Sequence, residues 1–381
     1  MTDNCPCTVS EVEFFDPIPK QIVLDKAQWV DIHPLNNVSS DGPIEFFVNG
    51  STDEMLDLNN TMMMVHVSIV NATGNAKLKE TDVIGLVNNY MHSMFSDIML
   101  TINGNVIEGG NHQYPYKAFM SNLLMHNKAS KDTQLQAVGW YKDTAKYMNR
   151  GTTANSGFDR RRKLCAESKT IELCGPLLLD FMLQNKYLLH NTDIGIKLNR
   201  SKPEFQINMY TGEDVNGRAT AVKVKIEKAI LYVRRVKATA SFIMDKEEKL
   251  NFQNAIYPVQ RTEMMTYTIA QGSQSHTRER LYRGLMPKLL FVAFVRNDAY
   301  NGTYSQNLFN FENFDVNHLA LYREGEPIPF RPFTPNFDEN HYLREYMALY
   351  QALDMYNKPD DIDLSMNDFA NGNTIYGFNL A

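Results

Sequence analysis

Short segments rich in β-branched and large apolar residues recur along the whole chain, and each is bounded by Gly, Asn, Asp or Pro. This pattern predicts strands. The predicted strands are 44–48, 61–70, 97–102, 170–181, 193–200 and 222–238, followed by 262–270, 287–296, 317–324 and 374–380. In the longest, Val222, Val224 and Ile226 alternate with charged residues, which indicates an antiparallel strand with one buried face. The pattern therefore predicts an all-β fold.

In two segments the apolar residues recur at helical spacing instead of alternating as in a strand. These segments, 115–125 and 338–354, are predicted to be amphipathic helices. Apolar residues fall at helical spacing in both: Tyr116, Met120, Leu123 and Leu124 in the first, and Tyr342, Tyr346, Leu349 and Leu353 in the second. Pro115 opens the first helix, and Asp338 is the expected N-cap of the second. We expect both helices to pack on a sheet. A polar segment, 242–258, is expected to be a helical connector.

The order of elements repeats. Strand 44–48 corresponds to 264–270, strand 62–70 to 289–295, the turn at Gly104 to Gly325, and the first helix to the second, with an offset of roughly 220–228 residues. Two unrelated β domains remain the alternative. We interpret the pattern as a duplicated β domain with a helix inserted after its hairpin.

The two copies differ in length. Three long strand segments follow the helix at 115–125, whereas only 374–380 follows the helix at 338–354. We therefore predict a double jelly roll, that is, two tandem sandwiches of the eight-stranded type with inserted helices, of which the second is incomplete. The expected organisation is an N-terminal arm at 1–29, a first jelly roll at 30–240, a connector at 241–257 and a second jelly roll at 258–381.

Composition narrows the function classes. A net charge of −6 over 381 residues excludes a uniformly basic nucleic-acid coat, although a local basic face remains compatible with it. No run of 18 apolar residues is present, so we expect no membrane span. The first 20 residues lack the basic and apolar regions of a secretory signal, which predicts a protein that is not secreted by that route. We expect the four cysteines to be reduced thiols without metal.

Several stretches resemble one protein family. They are "DGPIEFFVNG", "VNNYMHSMFSDIMLTINGNVI", "YPYKAFMSNLL", "AILYVRRVK", "GNTIYGFNL" and, most specifically, the segment from Met286 to Pro329. Together they resemble the major capsid protein of Polinton/Maverick elements and adintoviruses. The resemblance implies a structural protein of the virion capsid, whose trimers form pseudo-hexagonal capsomers of an icosahedral shell around double-stranded DNA. It also implies further strands after "GNTIYGFNL", where this sequence ends.

The resemblance implies particular partners and places. The partners are other copies of the chain, penton and other capsid proteins, and weak or indirect contact with packaged DNA. Assembly is expected in the host cytoplasm or nucleus. Arg160, Arg161, Arg162 and Lys163 form the only dense basic run, which could contact phosphate or act as a nuclear import signal. An exposed loop without either role explains the run equally well.

We find no catalytic motif and expect no enzyme, cofactor or metal. A cupin-like metalloenzyme would need an HxH pair, which is absent from the sequence. Asp360, Asp361 and Asp363 could bind Ca²⁺ but lack the glycine and final glutamate of an EF-hand loop. A sugar- or ligand-binding β-sandwich is the other alternative, and Trp29 and Trp140 are the only tryptophans it could use.

Overall fold

The computed structural model describes residues 23–380, except for residues 40, 81, 152–153, 211–220 and 283. Cys5 and Cys7 lie outside the described residues. The strands are β1 Leu24–Ile32, β2 Ile44–Val48, β3 Glu54–Asn71, β4 Ile84–Leu86, β5 Phe95–Ile102, β6 Asn105–Glu108, β7 Ile171–Pro176, β8 Ile194–Arg200, β9 Ile207–Met209, β10 Val222–Ala238, β11 Leu289–Ala293, β12 Leu319–Arg323, β13 Glu326–Phe333 and β14 Ile375–Asn379.

The helices lie between these strands. They are α1 Tyr90–Ser93, α2 Tyr114–Met125, α3 Lys128–Lys131, α4 Ser156–Cys165, α5 Pro203–Gln206, α6 Ala240–Leu250, α7 Asn297–Asn301, α8 Leu343–Ala352 and α9 Met366–Ala370. We call residues 24–238 the first lobe and residues 289–380 the second lobe. None of the helices in the described residues is both long enough and apolar enough to cross a bilayer.

The first lobe is a jelly roll. When the short β4 and β9 are set aside, eight strands remain, and they pair as an antiparallel ribbon folded back on itself. The first pairs with the eighth (β1–β10), the second with the seventh (β2–β8), the third with the sixth (β3–β7) and the fourth with the fifth (β5–β6). Rolling this ribbon gives two four-stranded sheets, β1-β10-β3-β7 and β2-β8-β5-β6. The predicted fold class is confirmed.

The burial pattern along β10 follows the alternation in its sequence. Val222 and Ile226 of β10 are buried while Lys225 and Glu227 are exposed, as the alternation predicts. The register between β10 and β3 then shifts between Ile226 and Lys228. This bulge exchanges the residues that face the interior with those that face solvent. After it, Leu231 and the residues two positions on either side of it face the interior.

We call the third–sixth and fourth–fifth strand pairs the inner pairs of the ribbon, and the other two the outer pairs. The second lobe contains counterparts of the inner pairs. β11 pairs with β14 as β3 pairs with β7, and β12 pairs with β13 as β5 pairs with β6. In the first lobe Met63 of β3 lies opposite Gly175, and in the second Phe291 of β11 lies opposite Gly377. This correspondence supports the repeat inferred from the sequence.

The hairpin turns also correspond. Asn103 and Gly104 have φ of 48° and 81°, and Glu324 and Gly325 have φ of 54° and 89°. Two successive residues at positive φ are typical of the type I′ turn, whose twist suits a two-residue β-hairpin. The predicted match between Gly104 and Gly325 is therefore confirmed at the level of backbone conformation.

The predicted strand at 262–270 is wrong, since residues 251–288 contain no strand in the described part of the chain. That segment was matched to β2, which pairs only with β8 in the first lobe. The described residues of the second lobe include no counterpart of β8. Without a neighbouring strand, the backbone N–H and C=O groups of this segment have no hydrogen-bond partners in a sheet. Apolar alternation alone therefore does not make 262–270 a strand.

The helices agree with the prediction in part. α2 spans Tyr114–Met125 as expected, but α8 begins at Leu343 because residues 336–341 form a closed turn, in which His341 and Asn336 exchange backbone hydrogen bonds of 2.8 and 2.9 Å. Asp338 is therefore not an N-cap. The connector helix ends at Leu250, earlier than predicted.

Two further expectations need correction. The helices α2 and α8 each follow a hairpin, but α2 packs on β5 and α1 whereas α8 packs on β14, so they do not occupy equivalent places. The N-terminal arm was expected to reach residue 29, yet β1 begins at Leu24 and pairs with β10 along its length. Residues 24–29 therefore belong to the first sheet.

Candidate assembly surface

Aromatic side chains join the two lobes into one core. Phe119 of α2 stacks on Phe309 of the second lobe with ring centroids 3.9 Å apart, and on Trp140 at 5.0 Å. Tyr116, one helical turn earlier, stacks on Tyr300 at 5.6 Å. Tyr116 of the predicted apolar face and Phe119, which was not part of that prediction, thus pack against the second lobe. Because aromatic rings bury large areas, this contact supplies much of the attraction between the lobes.

A buried polar group crosses the same boundary. The Asp143 carboxylate accepts hydrogen bonds from Arg161 at 2.6 Å, from Asn155 at 2.9 Å and from Asn307 of the second lobe at 2.9 Å. Asp143 and Arg161 are 5% and 1% exposed. The Arg161 guanidinium also donates to the Leu86 carbonyl oxygen at 2.8 Å. A charge pair this deeply buried needs hydrogen-bond partners for its polar atoms. Because Asn307 is one of these partners, the pair helps to hold the second lobe against the first.

The basic run therefore has mixed roles. Arg160 to Lys163 lie in α4 and not in an exposed loop, which was one of the alternatives, and Asn155 caps this helix by accepting from the Phe158 N–H. Arg161 is interior, while Arg162 and Lys163 pair with Asp159 at 3.3 and 2.7 Å. Arg160 and Lys163 are exposed. The four cations do not share one surface, and a role in DNA contact or nuclear import stays a prediction.

A lysine–aspartate cluster lies at the other end of the boundary between the lobes. Lys142 Nζ is 2.9 Å from Asp368 and 3.4 Å from Asp363, and the backbone N–H of Lys128 donates to Asp361 at 3.2 Å. Burial acts to raise the pKa of Asp368, but hydrogen bonds from Ser365 and Lys142 outweigh it and lower that pKa. Two of the three carboxylates considered for Ca²⁺ thus have protein partners: Asp363 pairs with Lys142, and Asp361 accepts from the Lys128 backbone.

One lysine of this region is enclosed. Lys131 Nζ donates to the carbonyl oxygens of Leu123 at 2.7 Å and Ile362 at 2.6 Å, and it lies 5.6 Å from the centre of the Trp140 ring. Burial lowers the pKa of Lys131 to about 7. The sequence offered no indication of this role, because Lys131 stands in a polar stretch that looks solvated.

The remaining candidate residues form no catalytic or metal site. His66 Nε2 lies 2.9 Å from Glu172 on the neighbouring strand, and its ring is part of a sheet face. Among the described residues, no group of three or more His, Cys, Asp or Glu side chains is arranged to hold a metal ion. Trp140 is buried in the core, and Trp29 lies exposed on β1, so the two do not form a common groove.

The edges of the second lobe offer the most distinctive surface. β11 is paired on one side only, and so is β12, in the described part of the chain. Large apolar residues near these edges are exposed, with Tyr322 60% and Phe330 85% exposed. Exposed apolar residues beside unpaired strands are typical of surfaces that bind another chain.

Comparison with known proteins gives distant similarities. No family model matches the chain. A Caenorhabditis elegans protein described as "Uncharacterized protein F54H12.2" is 25% identical over 371 residues, which are 95% of this chain and 85% of that protein. This degree of identity leaves the family undecided.

Three solved structures illustrate the structural similarity. The cryo-EM structure of the Sputnik virophage is 13% identical with a TM-score of 0.43, over 61% of this chain and 52% of that one. The PBCV-1 virus capsid is 10% identical with a TM-score of 0.49, over 97% and 80%. The mavirus major capsid protein is 15% identical with a TM-score of 0.32, over 61% and 50%. This chain thus spans about half the length of the Sputnik and mavirus chains. Similarities of this size carry no conclusion about function, and the fold rests on the strand pairing described above.

Proposed function

We propose that this protein is a structural subunit of a virus-type capsid, with no catalytic site. The observation that carries the proposal is the repeated ribbon: a jelly roll in the first lobe and the inner pairs of the same ribbon in the second, joined through one core. Two similar lobes give one chain two of the six corners of a hexagon. Three chains related by cyclic symmetry then close a pseudo-hexagonal capsomer.

The sequence resemblance supports a narrower form of this proposal. The segment from Met286 to Pro329 includes β11, β12 and the hairpin turn, and it is the part most similar to Polinton/Maverick and adintovirus capsid proteins. We propose accordingly an icosahedral shell around double-stranded DNA, with penton proteins as further partners, assembled in the cytoplasm or nucleus. The first jelly-roll unit would run from Leu24 at the start of β1 to residue 240, and the second would be 258–381, with 241–257 as the connector.

The alternatives have less support. A cupin-like enzyme needs a metal inside its barrel, and in the described interior of the first lobe the buried side chains are mainly apolar. A sugar-binding sandwich would need a groove with an exposed aromatic platform, and of the two tryptophans Trp29 alone is exposed. Elemental analysis of the purified chain would test the first alternative directly, since stoichiometric zinc or iron would revive it.

The test of the proposed function is the assembly state of the full chain. Light scattering after size exclusion, over a tenfold range of concentration, should give a mass three times that of the 43.7 kDa chain. Negative-stain images of that species should show rings with six similar lobes around a threefold axis. A monomer or dimer at every concentration, or a trimer without the sixfold outline, would contradict the proposal.

A further inference from the structure

A lysine of the first lobe lies between two carboxyl groups that come from different elements. Lys117 is in α2, Glu108 ends β6, and Asp180 lies in the turn that follows β7. Lys117 Nζ is 2.6 Å from Glu108 Oε1 and 2.8 Å from Asp180 Oδ1. The three side chains are largely buried, since Lys117, Glu108 and Asp180 are only 13%, 18% and 10% exposed. An amine and a carboxyl group held in contact in this way have the proximity that amide formation needs.

The protonation of Asp180 favours this chemistry. Burial raises the pKa of Asp180 and the charge of Glu108 adds to that rise, while hydrogen bonds from Lys117 and Thr262 act in the opposite direction without cancelling it. Two carboxyl groups that share one site also oppose the ionisation of both. A protonated carboxyl group accepts a nucleophile at its carbon, whereas a carboxylate repels one. Asp180 therefore has the character of the electrophile.

Backbone donors orient both carboxyl groups. The Thr262 N–H donates to Asp180 Oδ2 at 2.7 Å, and this is the oxygen that does not contact Lys117. When a nucleophile adds to Asp180 Cγ, negative charge develops on this oxygen, where the N–H stabilises it. Glu108 accepts from the backbone N–H groups of Asp180 at 3.0 Å and Phe181 at 3.2 Å. These hydrogen bonds hold Glu108 beside the lysine, where a proton acceptor is required.

A second cluster shows that proximity alone is not sufficient. Lys142 Nζ also lies near two carboxylates, 2.9 Å from Asp368 and 3.4 Å from Asp363. There, hydrogen bonds from Ser365 and Lys142 outweigh burial and lower the pKa of Asp368. Asp368 stays ionised, so Lys142 forms an ion pair and nothing more. The site around Lys117 differs because its aspartate is the carboxyl group that burial keeps protonated.

We propose that Lys117 and Asp180 join in an intramolecular isopeptide bond, with Glu108 as the proton acceptor. Glu108 takes one proton from the Lys117 ammonium group, and the neutral amine attacks Asp180 Cγ. The Nζ–Cγ bond forms and the Cγ–Oδ1 bond breaks. Oδ1 leaves as water with the proton of the acid and a second proton from the nitrogen, and the third stays on the amide. No oxidant or other reactant is needed.

The bond would tie the boundary between the lobes to the first sheet. α2 carries Tyr116 and Phe119, which contact the second lobe, and the turn at Asp180 continues from β7. The reaction occurs once in each chain and turns over no substrate, so it is compatible with a structural protein. It rests on the geometry around Lys117 and does not depend on the capsid proposal.

The mass of the unmodified full chain tests the proposal without any variant. After denaturation, the chain should be lighter than its sequence requires by the mass of one water molecule. Proteolysis followed by tandem mass spectrometry should give a branched peptide in which Lys117 Nζ is joined to Asp180 Cγ. A chain whose Lys117 and Asp180 peptides are separate would overturn the proposal and leave an ion pair. Loss of water at a different pair of residues would overturn it equally.

Matched variants assign the roles. Lys117→Arg keeps the positive charge without the primary amine and should retain the water. Lys163→Arg is the control, because Lys163 lies 2.7 Å from Asp159 but is 67% exposed, and this variant should lose water as the unmodified chain does. Glu108→Gln should slow bond formation about a hundredfold or more, followed as the linked fraction over time after cell-free synthesis. Water loss that persists in Lys117→Arg would refute the bond, and an unchanged rate in Glu108→Gln would refute the role of Glu108.

Discussion

The two lobes use the same folded ribbon at different degrees of completeness. In the first lobe all four strand pairs form, and interior residues such as Val65, Leu198 and Leu231 are fully buried. In the second lobe only the two inner pairs form, and every residue of β11 stays partly exposed. The difference shows that the outer pairs close a jelly-roll sandwich, whereas the hairpin and the third–sixth pair form without them.

The second lobe compensates for its lack of outer strand pairs through contact with the first lobe. Its most buried aromatic residue near the boundary, Phe309, packs on Phe119, and Asn307 bonds to Asp143. We therefore expect the second lobe to depend on the first for its stability.

The largest effect is expected when the lobes are separated. Residues 1–240 expressed alone should give a monomer with a cooperative thermal melt. Residues 258–381 alone should aggregate or fold loosely, because each large apolar side chain that loses its cover forfeits roughly 1.5–3 kcal/mol, and several exceed the ~5–15 kcal/mol of a typical domain. Calorimetry of the two pieces checks this. A cooperative, monomeric melt of the C-terminal piece would contradict the dependence.

The next largest effect concerns the buried carboxylate at the boundary. Asp143→Ala should lower the free energy of unfolding of the full chain by about 3–5 kcal/mol, since Arg161 would remain buried without its counter-charge. Lys163→Ala is the matched control, because its exposed pair with Asp159 should contribute no more than about 1 kcal/mol. Urea titrations measure both. Similar small losses for the two variants would mean that Asp143 is accessible to water.

A smaller effect compares two glycines at equivalent places. A Cβ at Gly175 would lie 2.3 Å from Val138 Cγ1, and one at Gly377 would lie 2.9 Å from Ala352 Cβ and 3.1 Å from the Leu349 backbone. Gly175→Ala and Gly377→Ala should each cost about 1–3 kcal/mol through overpacking. Alanine at Gly104, where nothing lies within 4 Å, separates crowding from backbone strain at positive φ. A neutral Gly377→Ala would show that α8 does not pack closely on β14.

The smallest effect is a pH dependence confined to the first lobe. His92 is buried, its Nδ1 lies 2.8 Å from the Tyr114 hydroxyl, and burial lowers its pKa to about 3. The unfolded chain binds the proton at its ordinary pKa of about 6.5. The contribution of this group is thus complete above pH 6.5 and is lost as the pH drops toward 3; at pH 5.5 the loss is about 1.4 kcal/mol. His92→Asn should flatten that slope, and the exposed His341→Asn should not.

Much of this fold can be predicted from the sequence. Alternation in 222–227 identified β10, and the Asn-Gly and Glu-Gly turns identified both hairpins because positive φ restricts the residues that fit. The strand β1 was missed, since its alternation is obscured by charged residues at an exposed edge. The segment 262–270 was predicted as a strand from the same apolar pattern that succeeded elsewhere. A strand also needs a neighbour, and no local pattern shows whether one is present.

The candidate surface was predicted less completely, for a physical reason. The basic run suggested four exposed cations, but a helical period places Arg161 inside while Arg160 and Lys163 face solvent. Tertiary contacts assign the roles of Asp143 and Lys131, whose partners lie far away in the sequence.

Residue-resolved amide hydrogen exchange on the full chain tests the central claim, that the second lobe holds only the inner pairs of the ribbon. We predict slow exchange along residues 231–237 of β10, which lie between β1 and β3, and fast exchange throughout 263–270. The backbone N–H of Leu380 donates to the Lys288 carbonyl oxygen, and hydrogen-bonded pairs alternate along an antiparallel ladder. Within β11, Leu290 and Val292 should be slow, while Leu289, Phe291 and Ala293 should be fast, because only the former face β14. Protection of 263–270, or of every residue of β11 alike, would contradict the claim and show that the second lobe closes its sandwich within this chain.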